Sequence, residues 1–179
     1  FSSGSAKAFP HRYLEAAPAL EQATKIYDRR NTYYQQELRK AGSAYGFNPT
    51  GSLLCLHLPS YAQVRGFPKR AGGEDFYLLN KMQKIAGVQS IKATPIKLEC
   101  RTSDRVPFGT GPAVKKLLES TNPKSEPIFY HPKCFDIFRQ GLAAIRSTHP
   151  NQWLESSALP LEFKAALEDL GIDSVQIHL

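Results

Sequence analysis

Four consecutive residues, Gly72 to Asp75, combine types that suit acid–base chemistry beside a ligand-binding loop. Gly72 and Gly73 come directly before two acids, Glu74 and Asp75, which open a predicted helix. Glycine lets the backbone approach a ligand closely, and acids in a first turn lie beside its unpaired N–H groups. A rigidly held carboxylate of this kind suits a general base. Taken alone, the pattern favours ordinary helix capping, because acids are frequent in first turns.

Basic residues precede this segment and dominate the charge of the chain. Lys and Arg number 23 against 16 Asp and Glu among 179 residues, so the net charge is +7. This charge favours anionic partners such as nucleotides, sugar phosphates, nucleic acid or acidic membranes. Lys69 and Arg70 stand just before the acids and could bind a phosphate or an anionic acceptor, although a solvated loop is the commoner role for such residues.

A second basic loop, residues 101–111, contains Arg101, Arg105 and the run PFGTG. Glycines on both sides of Thr110 expose backbone N–H groups, and arginine binds phosphate through paired donors. These features are what a departing diphosphate needs in a transition state. A solvated basic turn is the alternative, and the residues by themselves leave that choice open.

The elements that must position these loops alternate between helices and short strands. Hydrophobic periodicity and turn residues predict helices at 13–40 (interrupted near Pro18), 61–64, 74–86, 114–120, 135–145 and 161–170, and strands at 52–58, 88–91 and 95–100. Residues 1–12 are expected to be irregular, and residues 123–127 to be a linker. The pattern predicts an α/β or α+β domain, with a short mixed sheet flanked by helices, over residues 1–118 and a helical extension over residues 119–179.

Composition excludes several classes of protein. Hydrophobic residues make up 41% of the chain, which supports a core and argues against global disorder. No apolar run reaches membrane-spanning length. Cys55, Cys100 and Cys134 are widely spaced and odd in number, so we expect neither a disulfide framework nor a zinc site, and we expect a cytoplasmic protein with reduced thiols.

Several motifs resemble, in the correct order, the acceptor-side half of bacterial family 2 glycosyltransferases, which have a GT-A fold. The run YAQVRGF at 61–67 is similar to that family's YxxVGGF, and EDFYLLNK at 74–81 is similar to its helix that opens with an ED pair. The later run RTSDRVPFGTGPAV at 101–114 resembles a motif that follows this pair. The resemblance covers about residues 45–114. The chain departs from it at Arg65, where glycine is usual, and at Asn80, where arginine is common.

The resemblance implies a role for each candidate residue. Asp75 would deprotonate the acceptor hydroxyl in an inverting transfer from a nucleotide sugar, and Glu74 would support acceptor binding. Gly51 and Ser52 would lie near the sugar donor. The other implied sites are an acceptor loop (Lys69, Arg70, Gly72, Gly73) and a donor-phosphate site (Arg101, Arg105, Thr110).

The donor-binding half of the family is the part that the chain does not match. That half carries a DxD metal motif, and no DxD occurs in this sequence. We therefore expect a piece of a longer enzyme that is inactive alone, with the nucleotide sugar and a Mg or Mn ion held largely by the other half. A half-domain exposes a sheet edge and an apolar face, so some self-association is expected.

Two further hypotheses come from other functional classes. One is a non-catalytic basic domain that binds nucleic acid or a protein partner, and the other is an interaction domain that keeps only the transferase shape. The first predicts basic residues spread over one face and binding that depends strongly on salt. The basic residues instead concentrate in two loops around an acidic pair, which favours a cleft and makes nucleic acid the less favoured partner.

Overall fold

The computed structural model describes residues 4–122, 129–147 and 156–171, which form a mixed α/β fold. In chain order the elements are β1 (Ala6–Ala8), β2 (His11–Tyr13), α1 (Pro18–Lys40), a 3₁₀ turn (Gly51–Leu53), β3 (Leu54–Leu56), α2 (Leu58–Gln63), α3 (Glu74–Ala86), β4 (Val88–Ser90), β5 (Ile96–Leu98), α4 (Thr110–Glu119), α5 (Pro132–Ser147) and α6 (Leu161–Asp169). The predicted class, a short mixed sheet flanked by helices and followed by C-terminal helices, is confirmed. In the described ranges, no helix is long and apolar enough to span a membrane.

Residue contacts divide the chain into two compact units. The first comprises Phe1–Gln35 and Phe47–Phe129, and the second comprises Gln36–Gly46 and Tyr130–Leu179. The end of α1 and the loop after it therefore belong to the same unit as the C-terminal helices. The predicted division after residue 118 had placed them in the first domain. The predicted linker at 123–127 lies outside the described residues.

The three-stranded sheet has β1 at its centre, which shows that the expectation of irregular structure over residues 1–12 was wrong. The strand order is β3-β1-β4, with β1 antiparallel to β3 and parallel to β4. Ala6 and Ala8 are buried on one face while Lys7 is only half-buried. Alanine and lysine have weak strand propensity, so the pairing on both sides, which a local pattern does not reveal, is what makes this segment a strand.

A parallel pair of strands, β2 and β5, forms the second sheet, with His11 opposite Ile96 and Tyr13 opposite Leu98. The helix predicted from residue 13 therefore begins only at Pro18, because Tyr13 belongs to β2. Proline suits the first turn of a helix, since its missing N–H has no partner there anyway.

The end of α1 follows the prediction. Gly42 adopts φ +82°, and its N–H donates to Arg39 O at 2.9 Å, while Ser43 N donates to Leu38 O at 2.9 Å. This pair of bonds is a Schellman motif, in which a left-handed residue just past the helix satisfies its last carbonyls. Glycine adopts that conformation without a steric penalty.

Helix α3 has the predicted bounds, and it is the element that positions the acidic pair. Leu78, Leu79 and Met82 are fully buried and pack in one core cluster with Ala6 of β1 and Phe47. The helix is thereby held along the central strand, and its first turn is presented to solvent beside the loop that precedes it.

Ile85, which lies on the same side of α3 as Leu78 and Met82, is 38% exposed. The helix ends at Ala86, one residue later, so no further turn covers Ile85.

Two residues after the end of α2, Arg65 adopts a strained, left-handed backbone conformation. Arg65 has φ +60°, its N–H donates to Ala62 O at 2.9 Å, and Gly66 N donates to Tyr61 O at 3.0 Å. This is a second Schellman motif, with arginine where glycine is preferred. Lys81 of α3 donates to Val64 O at 3.0 Å, so α3 also holds the end of α2.

Replacing Arg65 with glycine should stabilise the protein. The left-handed conformation costs a non-glycine residue about 1–2 kcal/mol, part of which the greater freedom of glycine in the unfolded chain offsets. We expect Arg65→Gly to raise the free energy of unfolding by about 0.5–1 kcal/mol in urea titrations with an unchanged m-value. Arg65→Ala is the control, because it removes the same side chain and keeps the strain. An equal gain from Arg65→Ala would contradict the conformational explanation.

Candidate functional site

The Asp75 carboxylate joins two parts of the fold. Its Oδ1 accepts a hydrogen bond from Phe76 N at 2.7 Å, and its Oδ2 accepts one from Gly51 N at 2.9 Å. The first bond is local to the helix start, as the capping alternative expects. The second reaches the 3₁₀ turn that leads into β3, so Asp75 does more than end its own helix.

Gly51 is a close neighbour of this carboxylate as well as its hydrogen-bond donor. A Cβ added at Gly51 would lie 3.2 Å from Asp75 Oδ2 and 3.3 Å from Asp75 Cβ. Such contacts are tighter than ordinary van der Waals separation. The absence of a side chain at Gly51 is thus part of what lets the turn approach the acid.

Glu74, the other acid, opens α3 and is half-buried. In the part of the chain that the structure describes, it forms no ion pair. The basic side chain nearest to it in sequence, Arg70, is engaged elsewhere: its guanidinium carbon lies 3.7 Å from the centre of the Tyr77 ring. Lys69 is exposed in the same loop.

Gly72 and Gly73 pack against Phe108, an aromatic side chain of the second basic loop. Gly73 has φ +69°, and a Cβ there would lie 3.2 Å from Phe108 Cε2. A Cβ at Gly72 would lie 3.2 Å from Phe108 Cζ and 3.4 Å from Val106 Cβ. The two loops that were predicted to act together therefore do meet, through the packing of Phe108 on Gly72 and Gly73.

The second basic loop folds back onto the start of α4. A Cβ at Gly111 would lie 2.5 Å from Ser103 O, so only glycine fits at this position. Asp104 pairs with Lys115 at 2.9 Å, and the hydrogen bond to Asp104, followed by its charge, raises the pKa of Lys115 above its ordinary value. Thr110 is the first residue of α4 rather than a loop residue, which corrects its predicted placement.

Arg101 and Arg105 are exposed. Among the described residues, neither forms an ion pair or hydrogen bond with Glu74 or Asp75. The structure thus brings the second loop to the acidic segment through Phe108 and not through the arginines.

A polar cluster that the sequence interpretation missed lies between β2 and α1. His11 Nε2 is 2.9 Å from Asp28 Oδ1, and His11 Nδ1 is 3.5 Å from Asn48 Nδ2. With its proton on Nε2, the ring donates to Asp28 and accepts from Asn48. The cluster ties the second sheet to α1. The prediction that residues 1–12 are irregular gave His11 no fixed position, so it did not reveal this cluster.

Tyr13 belongs to the same cluster. Its ring meets the His11 ring edge to face, with centroids 5.3 Å apart. Burial, and next the negative charge of Asp28, raise the pKa of Tyr13 from its ordinary 10.0 to about 12. The neutral hydroxyl is therefore the form that the folded state favours.

In the described ranges, no group of three or more His, Cys, Asp or Glu side chains could hold a metal ion. Comparison of the chain with protein-family models, with curated proteins and with solved structures finds no match.

Enlarging Gly72 should displace Phe108. Gly72 is buried, so Gly72→Val places methyl groups where Phe108 and Val106 now lie, and overpacking of this kind costs about 1–3 kcal/mol. In a Phe108→Ala background, Gly72→Val should lower the free energy of unfolding by measurably less, because the ring that it would displace is gone. Urea unfolding of the four proteins of this double-mutant cycle gives the coupling directly. Equal costs in both backgrounds would show that Phe108 does not rest on this glycine.

The raised pKa of Tyr13 predicts a loss of stability at high pH. Between pH 10 and about 12 the unfolded chain releases a proton that the folded chain keeps, so the free energy of unfolding falls as pH rises. A two-unit shift corresponds to about 2.7 kcal/mol, and we expect roughly 1–2 kcal/mol because the ring is partly solvated. Urea unfolding of wild type and Tyr13→Phe over pH 8–12 isolates this residue from other titrating groups. A difference between the two proteins that stays constant with pH would contradict the prediction.

Proposed function

We propose that this chain is the acceptor-side half of an inverting, family 2-like glycosyltransferase in which Asp75 is the general base. The observation that carries the proposal is the 2.9 Å hydrogen bond from Gly51 N to Asp75 Oδ2. It joins the proposed base to the segment that, by the resemblance, lies beside the donor sugar. Base and donor must be neighbours for the reaction to occur, and these two segments are neighbours.

The hydrogen bonds of Asp75 leave acceptor positions open on both of its carboxylate oxygens. A carboxylate offers about four acceptor positions, and the two backbone N–H groups occupy one on each oxygen. The remaining positions suit the hydroxyl of an acceptor. Because a backbone N–H group donates to each oxygen, the carboxylate keeps one orientation. A fixed orientation favours reaction, since fewer unreactive arrangements of base and acceptor are populated.

The proposed reaction is a single displacement at the anomeric carbon of the donor sugar. The acceptor oxygen forms the new bond to that carbon as its proton passes to Asp75, and the bond from the carbon to the diphosphate oxygen breaks. Attack opposite the leaving group inverts the anomeric centre. Glu74, one residue before the base, orients the acceptor through a second carboxylate.

Arg101, Arg105 and Thr110 are proposed to stabilise the departing diphosphate. Support comes from the exposure of both arginines and from the packing of their loop on Gly72 and Gly73 through Phe108. Lys69 is proposed to bind the anionic parts of either substrate.

The donor and its metal are assigned to the remainder of the enzyme. In this proposal the Mg or Mn ion is held by that remainder, as the resemblance implies, and it would supply positive charge beside the departing diphosphate. Free cysteines, Cys55, Cys100 and Cys134, agree with a cytoplasmic setting.

Asp75→Asn tests the base in a longer chain that includes the donor-binding half. Release of nucleoside diphosphate from a panel of nucleotide sugars should fall by at least about 100-fold, because a general base contributes that much or more. Asparagine has one acceptor oxygen in place of two, so one of the two backbone hydrogen bonds is lost and the free energy of unfolding should fall by about 0.5–1.5 kcal/mol, which urea unfolding of the variant checks.

Asp136→Asn is the matched control, because Asp136 is an exposed acid on α5, paired with Arg139. It should leave the rate unchanged. Full activity of Asp75→Asn would show that the base is a different residue. A longer chain that binds no nucleotide sugar would overturn the transferase proposal altogether.

A further inference from the structure

We propose that His11 is a positioning residue for Asp75, and that its neutral form holds the turn before β3 against the candidate base. The inference rests on the proposed function, because it concerns the residue named there as the base. His11 acts through three intervening residues, which are Asn48, Thr50 and Gly51.

The side-chain amide of Asn48 has only one orientation that its neighbours permit. Its Oδ1 accepts hydrogen bonds from Thr50 N at 3.1 Å and from Thr50 Oγ1 at 2.7 Å. Rotating the amide by half a turn would bring its NH₂ group to the Thr50 N–H, so that two donors would face each other. Nδ2 therefore points as a donor to His11 Nδ1, which is 3.5 Å away.

The ring of His11 must be neutral to accept from that amide. Its Nε2 donates to Asp28 Oδ1 at 2.9 Å, so Nδ1 is the nitrogen that carries the accepting lone pair. A proton gained by the ring goes to Nδ1, where it would face the NH₂ group of Asn48. Two donors would then meet, and the contact between ring and amide would be lost.

The groups around His11 respond to this proton in opposite ways. Asp28, on α1, attracts the protonated ring. Tyr13 stays neutral beside it, because burial raises the pKa of Tyr13 to about 12, and the residue opposite His11 on β5 is the apolar Ile96. Asn48 accommodates only the neutral ring. A proton on His11 therefore strengthens its contact with α1 and breaks its contact with the loop.

The loop carries this change to Asp75 over a very short stretch of chain. Asn48 holds Thr50 through an Asx turn that the threonine hydroxyl reinforces, and Pro49 between them has a fixed φ. Gly51 follows directly and donates to Asp75 Oδ2 at 2.9 Å. When His11 no longer holds this segment, the hydrogen bond that orients Asp75 opens more often.

The size of the effect follows from the distances. At 3.5 Å, the bond from Asn48 to His11 is long and adds little stability in the neutral state. Its influence lies in the protonated state, in which the same approach becomes repulsive while Asp28 keeps the ring from turning away. We therefore expect a modest increase in the opening of the Gly51 bond and no unfolding of the domain.

Hydrogen exchange of the Gly51 amide in the 179-residue chain tests the connection without a nucleotide sugar. NMR gives its protection factor over about pH 5.5–8, the range in which histidine side chains ordinarily change charge. On acidification the protection factor should fall roughly threefold to tenfold, as expected for the loss of one ordinary hydrogen bond. The fall should coincide with the titration of the His11 ring protons in the same samples.

His11→Asn removes the charge change and keeps an acceptor. Asparagine is neutral throughout, and its Oδ1 can occupy the position of the imidazole Nδ1, so the protection factor of Gly51 should stay constant over the same range. His57→Asn is the matched control, because His57 is the N-cap of α2 and asparagine is a favoured N-cap residue. It should leave the pH dependence at Gly51 as in wild type.

Two further positions test the intervening steps. In Asn48→Asp, one carboxylate oxygen can accept from Thr50 while the other accepts from protonated His11, so acidification should no longer lower the protection of Gly51. Thr50→Val removes the hydroxyl that binds Asn48 and should weaken the pH dependence. Thr50→Ser keeps that hydroxyl and should preserve it.

The longer chain that includes the donor-binding half supplies a kinetic readout. The kcat of wild type should fall as His11 gains its proton, and His11→Asn should not show this fall. The KM for the acceptor should change less than kcat, because the connection orients the base and does not itself bind substrate.

A protection factor of Gly51 that is constant with pH in wild type, or that falls equally in His11→Asn, overturns the proposal. An unchanged fall in Asn48→Asp would also overturn it. These results come from the 179-residue chain and do not affect the Asp75→Asn assay in the longer chain. Failure of the positioning role and failure of the transferase assignment are therefore distinguishable.

Discussion

Helix α3 is tied to the sheet at both of its ends, and the candidate site depends on this. At its C-terminal end, the buried Ser5 hydroxyl lies 2.7 Å from Met82 O and 2.9 Å from Gly87 O, and Ser5 N donates to Gly87 O at 2.8 Å. At its N-terminal end, Asp75 holds the turn that leads into β3. Between the two ties, apolar packing against β1 removes the remaining freedom of the helix. A carboxylate on such an element keeps its position, as a catalytic group must.

Two positions near α3 have locally unfavourable features. Arg65 adopts a left-handed conformation that glycine would adopt freely. Asn80 has a buried Oδ1 without a hydrogen-bond partner in the described part of the chain. A buried acceptor without a partner costs about 1–3 kcal/mol, and the left-handed conformation of Arg65 costs about 1–2 kcal/mol. Both lie around α3, so the local stability of the candidate site is lower than its packing alone would give.

The loops on either side of α3 illustrate how contacts assign roles that residue types leave open. Arginine and glycine in residues 101–111 indicated a phosphate site, and the same residues fitted a solvated turn. The contact that joins this loop to the acidic segment instead comes from Phe108, whose hydrophobic ring carried no charge-based signal. Phe108 nevertheless remains 53% exposed, so it joins the two loops without being buried between them.

The bounds of α3 and the end of α1 were determined by the sequence itself. The bounds of α3, the Schellman ending at Gly42 and the burial of Leu78 and Met82 follow from rules that act within a few residues: helical periodicity, first-turn acids and the left-handed freedom of glycine.

Only the tertiary structure decided that residues 6–8 are the central strand, because alanine and lysine acquire that role from partners on both sides. It also decided that Asp75 meets Gly51, 24 residues away, and that Phe108 rests on Gly72. These contacts join segments that are distant along the chain, and their free energy depends on the packed sheet and helix between them. By its sequence, Asp75 is one of two acids in the first turn of α3. Its hydrogen bond from Gly51 N, in the turn before β3, distinguishes it from an ordinary helix cap.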